Sequence, residues 1–179
     1  MEMQFSNRVA VVTGAASGIG EAIARMFAER GARVVGVDRS EQIDSVCAAL
    51  PGENHFGIRA DLRDPQAAVE AAATVQRETG VVDILVNSAG IAVIKTALDT
   101  SAAEWQSIID VNLSAAFHMS TAFGRLMVER GYGRIVSIAS QAARVALHEH
   151  AAYCASKAGL LGLTRVLAVE WAAHGVTVN

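Results

Sequence analysis

Short runs of β-branched residues recur at regular intervals along this chain, and each gives way to a stretch with helical periodicity. The runs Arg8–Thr13 (RVAVVT), Arg33–Asp38 (RVVGVD), His55–Arg59, Asp83–Asn87 (DILVN) and Arg134–Ile138 (RIVSI) read as buried strands, and Val176–Asn179 starts a sixth. Ile19–Arg30, Glu41–Leu50, Pro65–Thr79, Ser101–Arg130 and Ala152–His174 read as helices between them. Gly31, Pro51-Gly52, Gly80 and Gly131 supply stop signals, and Pro65 suits a first helical turn. The longest stretch, 101–130, is expected to break near Asn112, because asparagine is a poor helix former. Regular alternation of strand and helix predicts an α/β doubly wound parallel sheet in three layers, α/β/α. Such a sheet receives its ligands beyond the carboxyl ends of its strands. A helical bundle is the alternative for an Ala-rich chain, but the evenly spaced β-branched runs argue against it.

The 179 residues suffice for one domain, 1–179, with a sizeable core. The chain is 52% hydrophobic and 18% charged, which excludes disorder. Its formal net charge is -3 and its basic residues are dispersed, so no nucleic-acid partner is expected. No apolar run is long enough to span a bilayer, and Met1 to Arg8 is too polar for a signal-peptide core. Two cysteines, Cys47 and Cys154, suit reduced thiols, and the expected location is the cytoplasm.

The first strand runs directly into Thr13-Gly14-Ala15-Ala16-Ser17-Gly18-Ile19-Gly20. Glycines there let the chain turn tightly and bring backbone N–H groups up to a pyrophosphate. The helix that follows directs its positive end at the same anion. The second strand ends at Asp38, 18 residues after Gly20. A carboxylate there can accept hydrogen bonds from the adenosine ribose and would repel a 2′-phosphate, which favours NAD over NADP. Read alone, Asp38 is equally an ordinary solvated residue, and the adjacent Arg39 could tolerate a phosphate.

Tyr153 and Lys157 are four residues apart on the last helix, so they share a face. Free tyrosine titrates near about 10, too high for a base at neutral pH. A nearby ammonium stabilises the phenolate, and the pair could then exchange a proton with a substrate oxygen. Ser140 follows the fifth strand, where its hydroxyl could hold that oxygen or simply shape a turn. Asn112 could open its helix and hold a water, or be an exposed polar residue.

Taken together these pieces resemble the short-chain dehydrogenase/reductase family in its single-domain form. The matching motifs are TGAASGIG at Thr13–Gly20, Asp38, Asp61-Leu62, NSAG at Asn87–Gly90, Asn112, Ser140 and YCASK at Tyr153–Lys157, in family order over nearly the whole chain. The resemblance implies an NAD-dependent oxidoreductase on a Rossmann-type sheet, acting on a small alcohol or ketone. It assigns the cofactor to Gly14, Ser17, Gly18, Ile19, Gly20, Asp38 and Arg39. Asp61 would meet the adenine amino group beside Leu62, and Asn87, Ala89 and Gly90 would support the cofactor. Asn112, Ser140, Tyr153 and Lys157 would form a catalytic tetrad. Ser140 would polarise the substrate oxygen, Tyr153 would be the acid/base, Lys157 would tune it and hold the nicotinamide ribose, and Asn112 would position a water.

The chain departs from the family pattern in two places. Ser88 replaces the second asparagine of the usual NNAG, a substitution expected to be tolerated. The sequence stops at VTVN, whereas family members continue through a Pro-Gly turn, a threonine for the carboxamide, a substrate lid and a last strand. A fragment that keeps the cofactor side and loses half the substrate pocket is therefore expected, and it could bind cofactor without turning over.

Gln141, Ala142 and His150 lie in a stretch that faces substrate in the family, although a surface loop would look the same. His148-Glu149-His150 has metal-like spacing but lacks further ligands, so no metal is expected. Cys154 reads as a small packing residue. Trp105, Phe117 and Phe123 read as core or subunit contact. The resemblance favours a polyol/ketose pair as substrate, with reduction of a 3-oxoacyl thioester as the alternative. It also implies a homotetramer or homodimer through the 101–130 and 152–174 helices.

Overall fold

In a computed structural model, which describes residues 4–179, six strands form one parallel sheet. They are β1 (Val9–Thr13), β2 (Arg33–Asp38), β3 (Phe56–Arg59), β4 (Ile84–Asn87), β5 (Gly133–Ser137) and β6 (Val176–Val178). Their order across the sheet is β3-β2-β1-β4-β5-β6. The chain reverses direction across the sheet between β1 and β4, which opens a crevice beyond their carboxyl ends.

The helices are α1 (Gly18–Glu29), α2 (Ile43–Ala48), α3 (Pro65–Thr79), α4 (Ala102–Ile109), α5 (Ala115–Arg130) and α6 (Ala151–Trp171). Alternation along each strand divides the core into two clusters. Val11 and Val35 face α3 and α5 through Val75, Met119 and Phe123. Ala10, Val12 and Val34 face α1 and α2 through Phe27, Ile43 and Cys47. The doubly wound, three-layer expectation therefore holds. On the α1/α2 side Val136 of β5 remains 37% exposed.

Local signals explain the ends of α3 and the start of α4. Asp64 caps α3 by accepting from the Gln66 N–H, Pro65 occupies the first turn, and Gly80 closes it at φ 71°. Ser101 and Glu104 form a reciprocal capping box at the start of α4. Three predicted helices differ by more than a single terminal residue. The 41–50 helix shrinks to Ile43–Ala48. The 152–174 helix gives up its last residues to a tighter turn, Ala172–His174. The 101–130 helix is not broken but widened, by a π-helical turn at Asp110–Ser114 centred on Asn112.

Candidate active site

A cleft of about 400 Å³ opens where β1, β2 and β4 end. Its floor is the turn after β1. Gly14 has φ 67°, and a Cβ there would lie 2.9 Å from the Ala89 Cα, so no larger residue fits the approach of the two loops. Ser17, Ile19 and Gly20 line the same floor. At Gly18, φ is 59° and a Cβ would meet nothing within 4 Å, so the backbone there faces open cleft. An open glycine cradle at a helix N-terminus is what a pyrophosphate requires, and the residues present fit a dinucleotide.

Thr13 ties the two loops together. Its hydroxyl oxygen accepts from the Ser88 and Ala89 N–H groups at 3.0 and 3.1 Å. Position 88 thus contributes its backbone N–H to this tie, which does not depend on the side chain there. Ala89 and Gly90 line the cleft, whereas Asn87 is buried behind it.

At the adenosine end Asp38 and Arg39 form the rim. The Asp38 carboxylate accepts from the Ala16 N–H at 3.1 Å and the Ser40 N–H at 2.9 Å, so it also braces the glycine turn. Arg39 is exposed. Asp61 and Leu62 line the opposite rim together with Arg63, which the sequence reading overlooked. The Arg63 guanidinium grips both Asp61 oxygens, through Nε at 3.0 Å, and holds the carboxyl below its usual range.

The π-helical turn rotates Asn112 inward, where it is 1% exposed. Its Oδ1 accepts from the Ile91 N–H at 2.8 Å, and its Nδ2 donates to the Ile91 carbonyl at 2.9 Å and the Ser156 hydroxyl at 3.1 Å. The exposed-polar alternative is thereby excluded. Asn112 clamps the loop after β4 to α6, and π-turns of this kind recur at functional sites.

Tyr153 and Lys157 lie on α6 one turn apart. Lys157 is 5% exposed, and its ammonium donates to the Ile138 carbonyl at 2.7 Å. Burial pulls its pKa below the ordinary lysine value. A Cβ on Gly90 would sit 3.5 Å from Asn112 Oδ1 and 3.7 Å from Lys157 Nζ, so all three positions converge beside the cleft.

Ser140 caps a short turn at Gln141–Ala143 by accepting from the Ala142 N–H at 3.2 Å. Its hydroxyl proton remains available to a substrate oxygen. Gln141 is exposed and Ala142 is buried. The His150 ring packs edge-on to Tyr153 with centroids 6.0 Å apart. His150 Nδ1 lies 2.6 Å from the His148 carbonyl, which can only accept, so Nδ1 carries the proton. Among the described residues no three His, Cys, Asp or Glu side chains cluster as metal ligands.

Residues 8–179 match the short chain dehydrogenase family. The chain belongs to that family. It is 47% identical over 181 residues to D-threitol dehydrogenase of Mycolicibacterium smegmatis, and 40% identical to NAD-dependent glycerol dehydrogenase of Listeria innocua. Each match covers 99% of this chain and 70% of the relative. The Escherichia coli 3-oxoacyl-[acyl-carrier-protein] reductase FabG is 40% identical, with 99% and 72% covered. Among solved structures, one assigned as an NAD(P)-dependent gluconate 5-dehydrogenase from Beutenbergia cavernae, with NADP bound at low occupancy, superposes with a TM-score of 0.94 at 41% identity. That match covers 100% of this chain and 72% of the other. The short-chain dehydrogenase is thus an oxidoreductase by descent, and its relatives include enzymes named for polyols and for acyl thioesters.

Proposed function

We propose that this short-chain dehydrogenase binds NAD in the cleft beside β1 and interconverts a short polyol and its ketose. The observation that carries the reading is the convergence of Gly90, Asn112 and Lys157 beside the glycine-floored cleft, with the Tyr153 ring centroid 5.8 Å from the Lys157 ammonium. A bound nicotinamide would supply or take the hydride. Tyr153 gives or takes the proton on the substrate oxygen, and the Lys157 ammonium stabilises its phenolate. Ser140 donates to the same oxygen. Asn112 holds the Gly90–Ile91 backbone against α6, keeping the cleft wall and Lys157 in register. Gln141 and His150 are the proposed substrate wall, with His150 presenting Nε2 to a second hydroxyl, whereas the Ala142 side chain is buried and its N–H is held by Ser140.

Asp38 supports NAD, because its carboxylate would repel a 2′-phosphate. Two relatives named for polyols support the substrate class. The second reading, an NADP-linked 3-oxoacyl thioester reductase, is favoured by the likeness to FabG and by Arg39, whose guanidinium could meet a 2′-phosphate. The reaction is assigned to the cytoplasm, whose reducing poise suits the free thiols of Cys47 and Cys154.

Titrating NAD and NADP by nicotinamide fluorescence and assaying a polyol panel against a 3-oxoacyl thioester decides between the readings. Polyol oxidation with NAD is the expected result; thioester reduction with NADP alone would replace it.

A further inference from the structure

A second, much smaller space of about 10 Å³ lies between Lys157 and the core, walled on its apolar side by Leu62, Met119 and Leu160. That is about the room a single water molecule needs. Its polar wall is Thr13, Asn87, Asn112 and Lys157.

The donors and acceptors on that wall do not balance among themselves. Asn87 is 5% exposed, and its Nδ2 donates to the Ser120 hydroxyl at 3.0 Å and, less closely, the Ser137 hydroxyl at 3.4 Å. Its Oδ1 has no partner among the described residues. Turning the amide over would leave an N–H in the same position, so the need is unchanged. Thr13 already accepts two N–H groups, which fills its lone pairs and leaves its O–H to find an acceptor. The Lys157 ammonium has three N–H bonds and places one on Ile138. Asn112 has both Nδ2 hydrogens engaged and one Oδ1 lone pair taken by the Ile91 N–H, so it offers this space no donor.

We infer that one water fills this space, donating to Asn87 Oδ1 and accepting from Lys157 Nζ and Thr13 Oγ1, and that Asn87 is thereby a positioning residue for Lys157. The catalytic consequence rests on the role proposed for Lys157 above; the water site itself does not. A buried water with three polar partners is ordinary, and an unpaired buried carbonyl is not. Asn87 does not line the cleft; besides this bridge its side chain holds Ser120 of α5 and Ser137 of β5, and its backbone carbonyl accepts from the Ile138 N–H. The groups facing Lys157 are the Tyr153 ring on its own helix, the Ile138 carbonyl after β5, the Asn112 amide and the Gly90 backbone. Tyr153 is the one titratable side chain among them. Removing the water takes an acceptor from the ammonium and weakens its charged form, so the alkaline rise of alcohol oxidation moves to higher pH.

The test is a crystal structure of the NAD-bound enzyme at about 1.5 Å, together with pH profiles of three variants. A density peak within about 3.2 Å of Asn87 Oδ1, Thr13 Oγ1 and Lys157 Nζ is expected. An empty space there overturns the inference whatever the variants do. Asn87→Leu and Thr13→Val should each move the alkaline rise of alcohol oxidation upward by about half a pH unit or more, the scale of one lost neutral hydrogen bond. Thr13→Ser keeps the hydroxyl and should leave the profile in place. If Asn87→Leu loses stability but keeps the parent midpoint, its role is structural and the positioning claim fails. A filled site together with a fully active Lys157→Met would instead sink the proposed role of Lys157 and leave the water standing.

Discussion

The Lys157 ammonium lies 5.8 Å from the centroid of the Tyr153 ring and reaches past it to the Ile138 carbonyl. Among the described residues the groups that hold the cation are neutral, so no carboxylate there cancels its field at the phenol. Burial works against the ammonium by pulling the lysine pKa down, which caps the pH range over which the pair can operate.

Tyr153→Phe should therefore cost on the order of 10²–10⁴-fold in turnover, the usual contribution of general acid–base catalysis. NAD affinity should barely move. Lys157→Met should lower turnover, weaken NAD binding and shift the alkaline rise of alcohol oxidation to higher pH. Turnover against pH, with cofactor affinity measured separately, checks both. Near-normal activity of Tyr153→Phe would end the mechanism.

Cofactor choice turns on Asp38. NAD should bind more tightly than NADP, and Asp38→Ala should narrow the gap. Because the same carboxylate accepts from the Ala16 N–H, the substitution should also weaken NAD itself by loosening the glycine turn. Equal affinities in the unaltered protein would count against the assignment.

How far the sequence could be read depended on the range of the forces involved. The strands and the glycine turn were legible because β-branched runs and glycine act locally. The disturbance at Asn112 was legible as a weak point, but its form was not. The π-turn is set by pairing with Ile91, 21 residues away. Arg63 went unnoticed although it stands two residues beyond Asp61, since nothing local shows that its side chain folds back onto the cleft rim. Ala142 reads as a substrate contact in sequence, yet the turn capped by Ser140 buries its side chain and presents its N–H to Ser140.

Assembly is the third expectation. Phe117 on α5 is 45% exposed, and Val166 and Val169 on α6 are 53% and 80% exposed. Apolar side chains standing out on the two longest helices support pairing with a second copy. Light scattering at micromolar concentration should give a dimer or tetramer. Val169→Glu combined with Phe117→Glu should shift the protein toward monomer; a parent protein already monomeric would count against the pairing.

The last expectation concerns the opposite end of the sheet. Asp83, its side chain 3% exposed, accepts from Arg8 at 3.0 Å and Arg130 at 2.8 Å through Oδ1, and from the Val9 N–H at 2.9 Å through Oδ2. Burial pushes its carboxyl upward, but the Val9 N–H and the guanidiniums of Arg130 and Arg8 outweigh it and leave it below the usual carboxylate range. A carboxyl whose folded pKa is depressed stabilises the native state above its unfolded value of about 3.9, and this stabilisation is lost as pH falls through the folded value. Stability should thus decline on acidification below about pH 4. Asp83→Ala strands two guanidiniums and a buried N–H. Removing one member of a buried pair costs about 3–5 kcal/mol, and with both arginines partly exposed about 2–3 kcal/mol is expected here. Asp83→Asn retains an acceptor for Val9 but not the charge, so it should cost less at neutral pH and flatten the acid decline. Urea unfolding of the three proteins at neutral pH and in acid measures both effects. An acid decline in Asp83→Asn as steep as in the parent would show that other carboxylates govern it.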